Sequence, residues 1–164
     1  MFENRVKSET KPVIEHLKRA KVRTVMVTGD HIQTALSVAK ECKMITKPQV
    51  IVVKAILDEI TSKASIFFHD LASSKNSSED NEVKISMDYT FATDGASFNI
   101  IRDHFPVIYE RLCTRGTVFA RMTPDQKEFL IEELQELGYY VGMCGDGAND
   151  CGALKVFQHF LRQD

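Results

Sequence analysis

The chain has 164 residues with 21 basic and 23 acidic side chains, a formal net charge of −2. At 43% hydrophobic and 27% charged it has the composition of an ordinary globular domain, which excludes a disordered tail or a disulfide-stapled mini-protein. The near-neutral balance argues against a dedicated nucleic-acid binder, which would carry a basic excess or stripe.

A chain of this length is expected to form one domain, burying about 70% of the surface its unfolded form exposes. Its apolar runs fall short of the roughly 20 residues that cross a bilayer, so no membrane span is expected within it. Met1 to Arg5 lacks the apolar core of a signal peptide. Cys42, Cys113, Cys144 and Cys151 form no CxxC pair. That pattern suits buried free thiols in a reducing, cytosolic compartment better than a zinc site or a disulfide frame.

In chain order, Thr10 can cap a first helix, with Pro12 in its first turn and Val13, Ile14, Leu17 and Ala20 at helical spacing. Val22 to Thr28 is a strand by its β-branched content, broken by Gly29-Asp30. A second helix carries Ile32, Ala35, Leu36 and Ala39 on one face. Helix, strand and helix at this spacing predict a parallel α/β layer structure.

Residues 46–110 are less regular, with short strands at Val50–Val53 and Ile66–Phe68. The polar stretch Ser73 to Glu82 is too poor in apolar groups to fold alone and is expected to be a mobile surface loop, whether or not it is a phosphorylation segment. Phe91 to Phe105 mixes turn signals, Asp94-Gly95 among them, with apolar residues, and a helix is expected around Val107 to Leu112. Gly116 to Arg121 is a strand. Thr123-Pro124-Asp125-Gln126 has the form of a capping box opening a helix through Phe129, Leu130, Leu134 and Leu137, which Gly138 stops. Tyr139 to Cys144 is a further strand, running into Gly145-Asp146-Gly147-Ala148-Asn149-Asp150.

Three polar groups of residues fall where an open α/β sheet places ligands, just past the carboxyl ends of strands. Thr28-Gly29-Asp30 combines a hydroxyl, a position without a side chain and a helix start, the outline of a phosphate cradle. It is equally the outline of a strand end, a turn and a capping aspartate. Lys127 lies in the opening turn of its helix, where a cation costs about 0.3–1 kcal/mol against the positive end of the dipole. A bound anion reverses that sign; neutralisation by Asp125 or Glu128 is the plainer alternative. In the last group, Asp146 and Asp150 flank small residues directly after an apolar strand. Asp146 is a hard oxygen ligand suited to magnesium, and Asn149 and Asp150 can bond metal waters or phosphate oxygens. A glycine-rich turn with a capping aspartate is the alternative there.

Together the three describe a site for a magnesium-bound phosphoryl group, a chemistry that needs neutralised charge and positioning more than covalent help. An aspartyl-phosphate mechanism also needs a nucleophilic carboxylate on a central strand. No strand carries an aspartate followed by threonine two residues later; Asp70, Asp88 and Asp94 lack that context.

Met26 to Asp30, Phe119 to Lys127 and Met143 to Leu154 resemble, in order, three signature segments of the P-type transport ATPases, and most closely the type V, 13A-like branch. The resemblance covers roughly residues 8–155 and is weak through 55–90. It implies an α/β, haloacid-dehalogenase-like Rossmannoid fold, a mostly parallel sheet with helices on both faces, incomplete because the nucleophile strand is absent. By the same resemblance Thr28, Gly29 and Lys127 hold the phosphoryl group of an aspartyl phosphate formed from ATP. Asp146, with Asp150, holds Mg2+; Asn149 and Asp150 order phosphate and waters; Asp30 shapes the loop. Residues 1–164 are then a partial phosphorylation domain, with an irregular insert at about 46–110 and an atypical tail at 156–164. The expected setting is the cytosolic face of an endosomal or lysosomal membrane, beside the nucleotide-binding, actuator and membrane domains of a cation or polyamine pump. The family's Asp-Lys-Thr-Gly-Thr segment does not occur in these residues, so the chain by itself is expected to be inactive. A soluble phosphohydrolase of the same superfamily and a non-catalytic binding fragment are the competing expectations. Cys144 is expected to be a buried small hydrophobe, and the five histidines show no metal-ligand spacing.

Overall fold

Helical and strand periodicities alternate along the chain, and the computed structural model, which describes residues 6–58, 60–72 and 88–145, assembles them around one sheet. The elements are α1 (Thr10–Arg19), β1 (Met26–Val27), α2 (Ile32–Glu41), β2 (Gln49–Leu57), β3 (Ala64–Asp70), β4 (Tyr89–Asp94), α3 (Gly95–His104), α4 (Pro106–Arg115), β5 (Gly116–Ala120) and α5 (Pro124–Glu136). Strand order is β1-β5-β4-β2-β3. β1, β5, β4 and β2 run parallel, and β3 pairs antiparallel to β2 at one edge. The expected mostly parallel α/β sheet is therefore present.

Successive strand residues point to opposite faces, and the core divides accordingly. Ile51, Val53, Phe91 and Phe119 meet Phe98 and Ile101 of α3, Leu112 of α4 and Leu130 and Leu134 of α5. On the other face Val50, Val52, Ala92, Val118 and Ala120 meet Ile32, Ala35, Leu36 and Ala39, the four residues the sequence put on one side of α2. α1 buries no residue, and its apolar Val13 is 53% exposed. It is held by polar contacts: Lys18 to the Lys43 carbonyl and an ion pair of 2.7 Å between Lys43 and Glu15.

Several boundaries differ from the sequence expectation, each for a local reason. The strand expected over 22–28 pairs only at Met26–Val27. Upstream, Val22 N–H bonds back to Leu17 and the Arg23 guanidinium reaches the Cys113 and Thr114 carbonyls at the end of α4, so this stretch closes a helix end instead of extending a ladder. Residues 46–110, read as less regular, supply three of the five strands, α3 and half of α4. Asp94-Gly95 is a strand-to-helix junction rather than a turn: the Asp94 carboxylate accepts from Ser97 N–H and caps α3.

Two capping assignments also move. Glu9, not Thr10, is the α1 N-cap, and His31, not Asp30, caps α2 through Nδ1. Tyr139–Cys144 is not a strand; no described strand lies beside it, and β-propensity expresses fit between neighbours more than an intrinsic backbone preference. The α5 capping box and the stop at Gly138, with φ of 81°, are as expected. The 73–82 loop and the 156–164 tail lie outside the described residues.

Candidate functional site

β1 leads into α2 on one face of the sheet, while its neighbour β5 leads into α5 on the other. Between two such strands the connections diverge and leave a crevice at the carboxyl edge, the place where open α/β sheets bind ligands. Thr28-Gly29-Asp30 forms one lip and Arg121 to Lys127 the other.

Two backbone hydrogen bonds join the lips, and a third continues the β1–β5 pairing beneath them. Thr28 N–H donates to the Phe119 carbonyl (2.9 Å), Arg121 N–H to the Asp30 carbonyl (3.0 Å) and Met122 N–H to the Thr28 carbonyl (3.0 Å). Two segments some 90 residues apart in sequence thus become one structural unit. Arg121 takes a left-handed backbone, φ of 50°, which turns the chain sharply from β5 into α5 and aims its N–H at Asp30.

Within the loop, Thr28 Oγ1 accepts from Asp30 N–H and donates to Asp30 Oδ2, both at 3.1 Å. Asp30 therefore holds the Thr28 hydroxyl within the loop and does not cap α2. Gly29 is exposed, and a Cβ built there meets nothing within 4 Å. Its backbone is open to close approach by a ligand. Lys127 lies in the first turn of α5, half-buried, its N–H on the Thr123 carbonyl at 3.1 Å. The structure thus brings Thr28, Gly29 and Asp30 against the segment that carries Lys127. Asp146, Asn149 and Asp150 lie outside the described residues. Among the described residues no cluster of three imidazole, thiol or carboxylate groups is arranged to hold a metal ion.

Sequence reasoning passed over the residues that brace this edge. Asp94, at the end of β4, is buried and ion-paired with Lys54. Burial pushes the Asp94 carboxyl up, but the Lys54 ammonium and the Ser97 N–H and hydroxyl outweigh it and hold the carboxyl below its ordinary value. Asp94 is committed to α3 and is not a free acceptor carboxylate. Gly95 follows, packed so tightly that a Cβ would come well under 3.0 Å from the Arg121 carbonyl and Gln126 Oε1. An aspartate-glycine pair closing an apolar strand was the signal available for both. A shallow cleft of about 470 Å³ between Lys54, Phe67, His69 and Ser97 opens beside the Lys54–Asp94 pair. Neither of the two buried polar atoms that lack a partner among the described residues lines it.

The thiols divide. Cys42 and Cys113 are buried and free, as expected, and burial with Glu133 nearby pushes Cys113 up to about 12. Cys144 is exposed, contrary to expectation, because the stretch holding it is not laid into the sheet. No helix among the described residues is long and apolar enough to cross a membrane.

No family model matches the chain. Individual proteins do. It is 45% identical over 169 residues to the probable cation-transporting ATPase 13A4 of Homo sapiens, covering 95% of this chain. To the polyamine-transporting ATPase 13A3 of Mus musculus it is 45% identical over 172 residues, covering 94%. To the probable cation-transporting ATPase 13A5 of Mus musculus it is 43% identical over 166 residues, covering 95%. The chain belongs to the P-type transport ATPases. Within that class its relatives are the 13A cation- and polyamine-transporting group, and the chain spans 14% of their length.

Proposed function

We propose that the chain is part of the phosphorylation domain of an ATP-driven cation or polyamine pump, with a haloacid-dehalogenase-like fold. The observation that carries this is the joining of Thr28-Gly29-Asp30 to Arg121-Met122 across the β1–β5 crevice. The donor set suits a phosphoryl group: a hydroxyl that can turn from Asp30 to a phosphate oxygen, an open glycine backbone, and a lysine in a helix start that an anion stabilises. Thr28 and Gly29 bind and orient the group, and Lys127 neutralises its charge. Asp146 and Asp150 supply hard oxygens for Mg2+, which adds charge neutralisation when bound, and Asn149 orders the adjoining waters.

On this reading the acceptor aspartate comes from another part of the pump, on a parallel strand beside β1, whose outer side has no partner among the described residues. The nucleotide-binding, actuator and membrane domains are the partners, ATP the phosphoryl source, and the cytosolic face of an endosomal or lysosomal membrane the location. Transport of cations or polyamines, named for the relatives, is carried over to the parent of this chain only as part of the proposal.

Magnesium with orthovanadate as phosphate mimic should shift the amide signals of Thr28, Lys127 and Asp146; silence at all three refutes the shared site. Labelled ATP with magnesium should leave the isolated chain unlabelled. Labelling would favour a self-sufficient phosphohydrolase and overturn the external acceptor.

A further inference from the structure

We infer that Gln126 is a positioning residue for the crevice, acting through Gly95 and the Arg121 turn; its bearing on phosphate rests on the phosphoryl-site reading above. Gln126 is only 4% exposed, and both ends of its side-chain amide are committed. Oε1 accepts from Thr123 N–H at 3.0 Å, closing the capping box, and Nε2 donates to the Gly95 carbonyl at 2.8 Å.

A capping box needs only an acceptor at this position, and glutamate serves it as well as glutamine. The donor end is surplus to capping. It reaches the first residue of α3, 31 positions away in sequence, and ties the carboxyl end of β4 to that of β5.

Gly95 completes the joint by having no side chain: a Cβ there would displace both Gln126 Oε1 and the Arg121 carbonyl. With α3 seated against it, Arg121 is held in its left-handed turn, where its N–H meets Asp30 while Met122 N–H meets Thr28. The order of contact is Gly95, Gln126, Thr123, Arg121-Met122, then Asp30 and Thr28. Among the described residues the Gln126 amide bonds to Thr123 and Gly95 rather than to Thr28 or Gly29, so it acts on that loop through geometry. A buried amide satisfied at both ends fixes one arrangement, because a displaced end would be left without a partner.

The test uses the 164-residue chain and Gln126→Glu. The introduced carboxylate still accepts from Thr123 N–H, but it offers no donor and sets a negative charge against the Gly95 carbonyl. Amide hydrogen exchange at Arg121 and Met122 should quicken at least tenfold, while Leu130 and Ile131 in the same helix keep their protection. Affinity for inorganic phosphate with magnesium, read by amide shifts of Thr28 and Gly29, should fall at least fivefold. Measured against the unmodified chain at the same pH, both defects should shrink as pH is lowered through the titration of the introduced carboxyl, which when protonated donates again. Helix damage alone would not reverse.

Unchanged exchange at Arg121 and Met122, or equal loss of protection along all of α5, overturns the inference. If the parent chain binds no phosphate while the variant still loosens Arg121 and Met122, the phosphoryl reading fails and the joint stands. Should the variant not fold, the joint is read in the unmodified chain. There the Gln126 side-chain amide protons should exchange at least tenfold slower than those of exposed Gln33, and equal rates overturn it.

Discussion

Two glycines at the carboxyl edge of the sheet are expected to respond oppositely to the same added methyl group. At Gly95 a Cβ lands on the Arg121 carbonyl and on Gln126 Oε1, well under 3.0 Å from each. One obstacle is backbone at the end of β5; the other is a buried amide hydrogen-bonded at both ends. Overpacking of this kind costs about 1–3 kcal/mol. Displacing the Gln126 amide from a buried partner adds about 1–3 kcal/mol. Gly95→Ala should therefore lose about 2–6 kcal/mol, a large part of the 5–15 kcal/mol typical of a whole domain. At roughly 2–4 °C per kcal/mol for a chain of this size, the melting temperature should drop by about 4–24 °C.

At Gly29 the added methyl meets nothing within 4 Å and the backbone is not left-handed. Gly29→Ala should be neutral in stability, or gain up to about 1 kcal/mol through a less flexible unfolded chain. Its effect should fall on ligand approach, as weaker binding of inorganic phosphate with magnesium. Urea unfolding of the parent and both variants measures the difference. Equal stability of the two variants, or a parent-like Gly95→Ala, would refute the packing described at this edge.

The Asp94 carboxyl is held below its ordinary value, so its contribution to stability is complete above the unfolded pKa of about 3.9 and is lost as pH falls through the lower folded value. Asp94→Asn should flatten the acid limb of the stability–pH curve below about pH 4, and an unchanged limb would contradict the pairing with Lys54. Thr123→Ala removes one half of the α5 capping box and should cost about 0.5–2 kcal/mol in urea unfolding; no loss would mean that the cap is not formed in solution. Under iodoacetamide near pH 8, mass spectrometry should find that, of Cys42, Cys113 and Cys144, Cys144 is alkylated first and Cys113 last, the latter buried with its pKa pushed up to about 12. Alkylation of Cys113 at the rate of Cys144 would place that helix face in solvent.

What the amino-acid order settled by itself was local. The α2 face at Ile32, Ala35, Leu36 and Ala39, the capping box at Thr123 and Gln126 and the stop at Gly138 depend on contacts within a few residues, and periodicity or turn chemistry encodes them directly. Thr28-Gly29-Asp30 and Lys127 were legible as candidates for the same reason, as short patterns beside strand ends. Tertiary structure decided everything that needed a distant partner. The 22–28 strand shrank to Met26–Val27 because Arg23 is drawn to the end of α4, and Tyr139–Cys144 stayed outside the sheet because no described strand lies beside it. Asp94 and Gly95 looked like a turn until α3 and α5 were packed against each other. A strand, a crevice or a buried amide with two partners exists only between segments, and the free energy that selects it comes from burial and hydrogen bonds made across the chain.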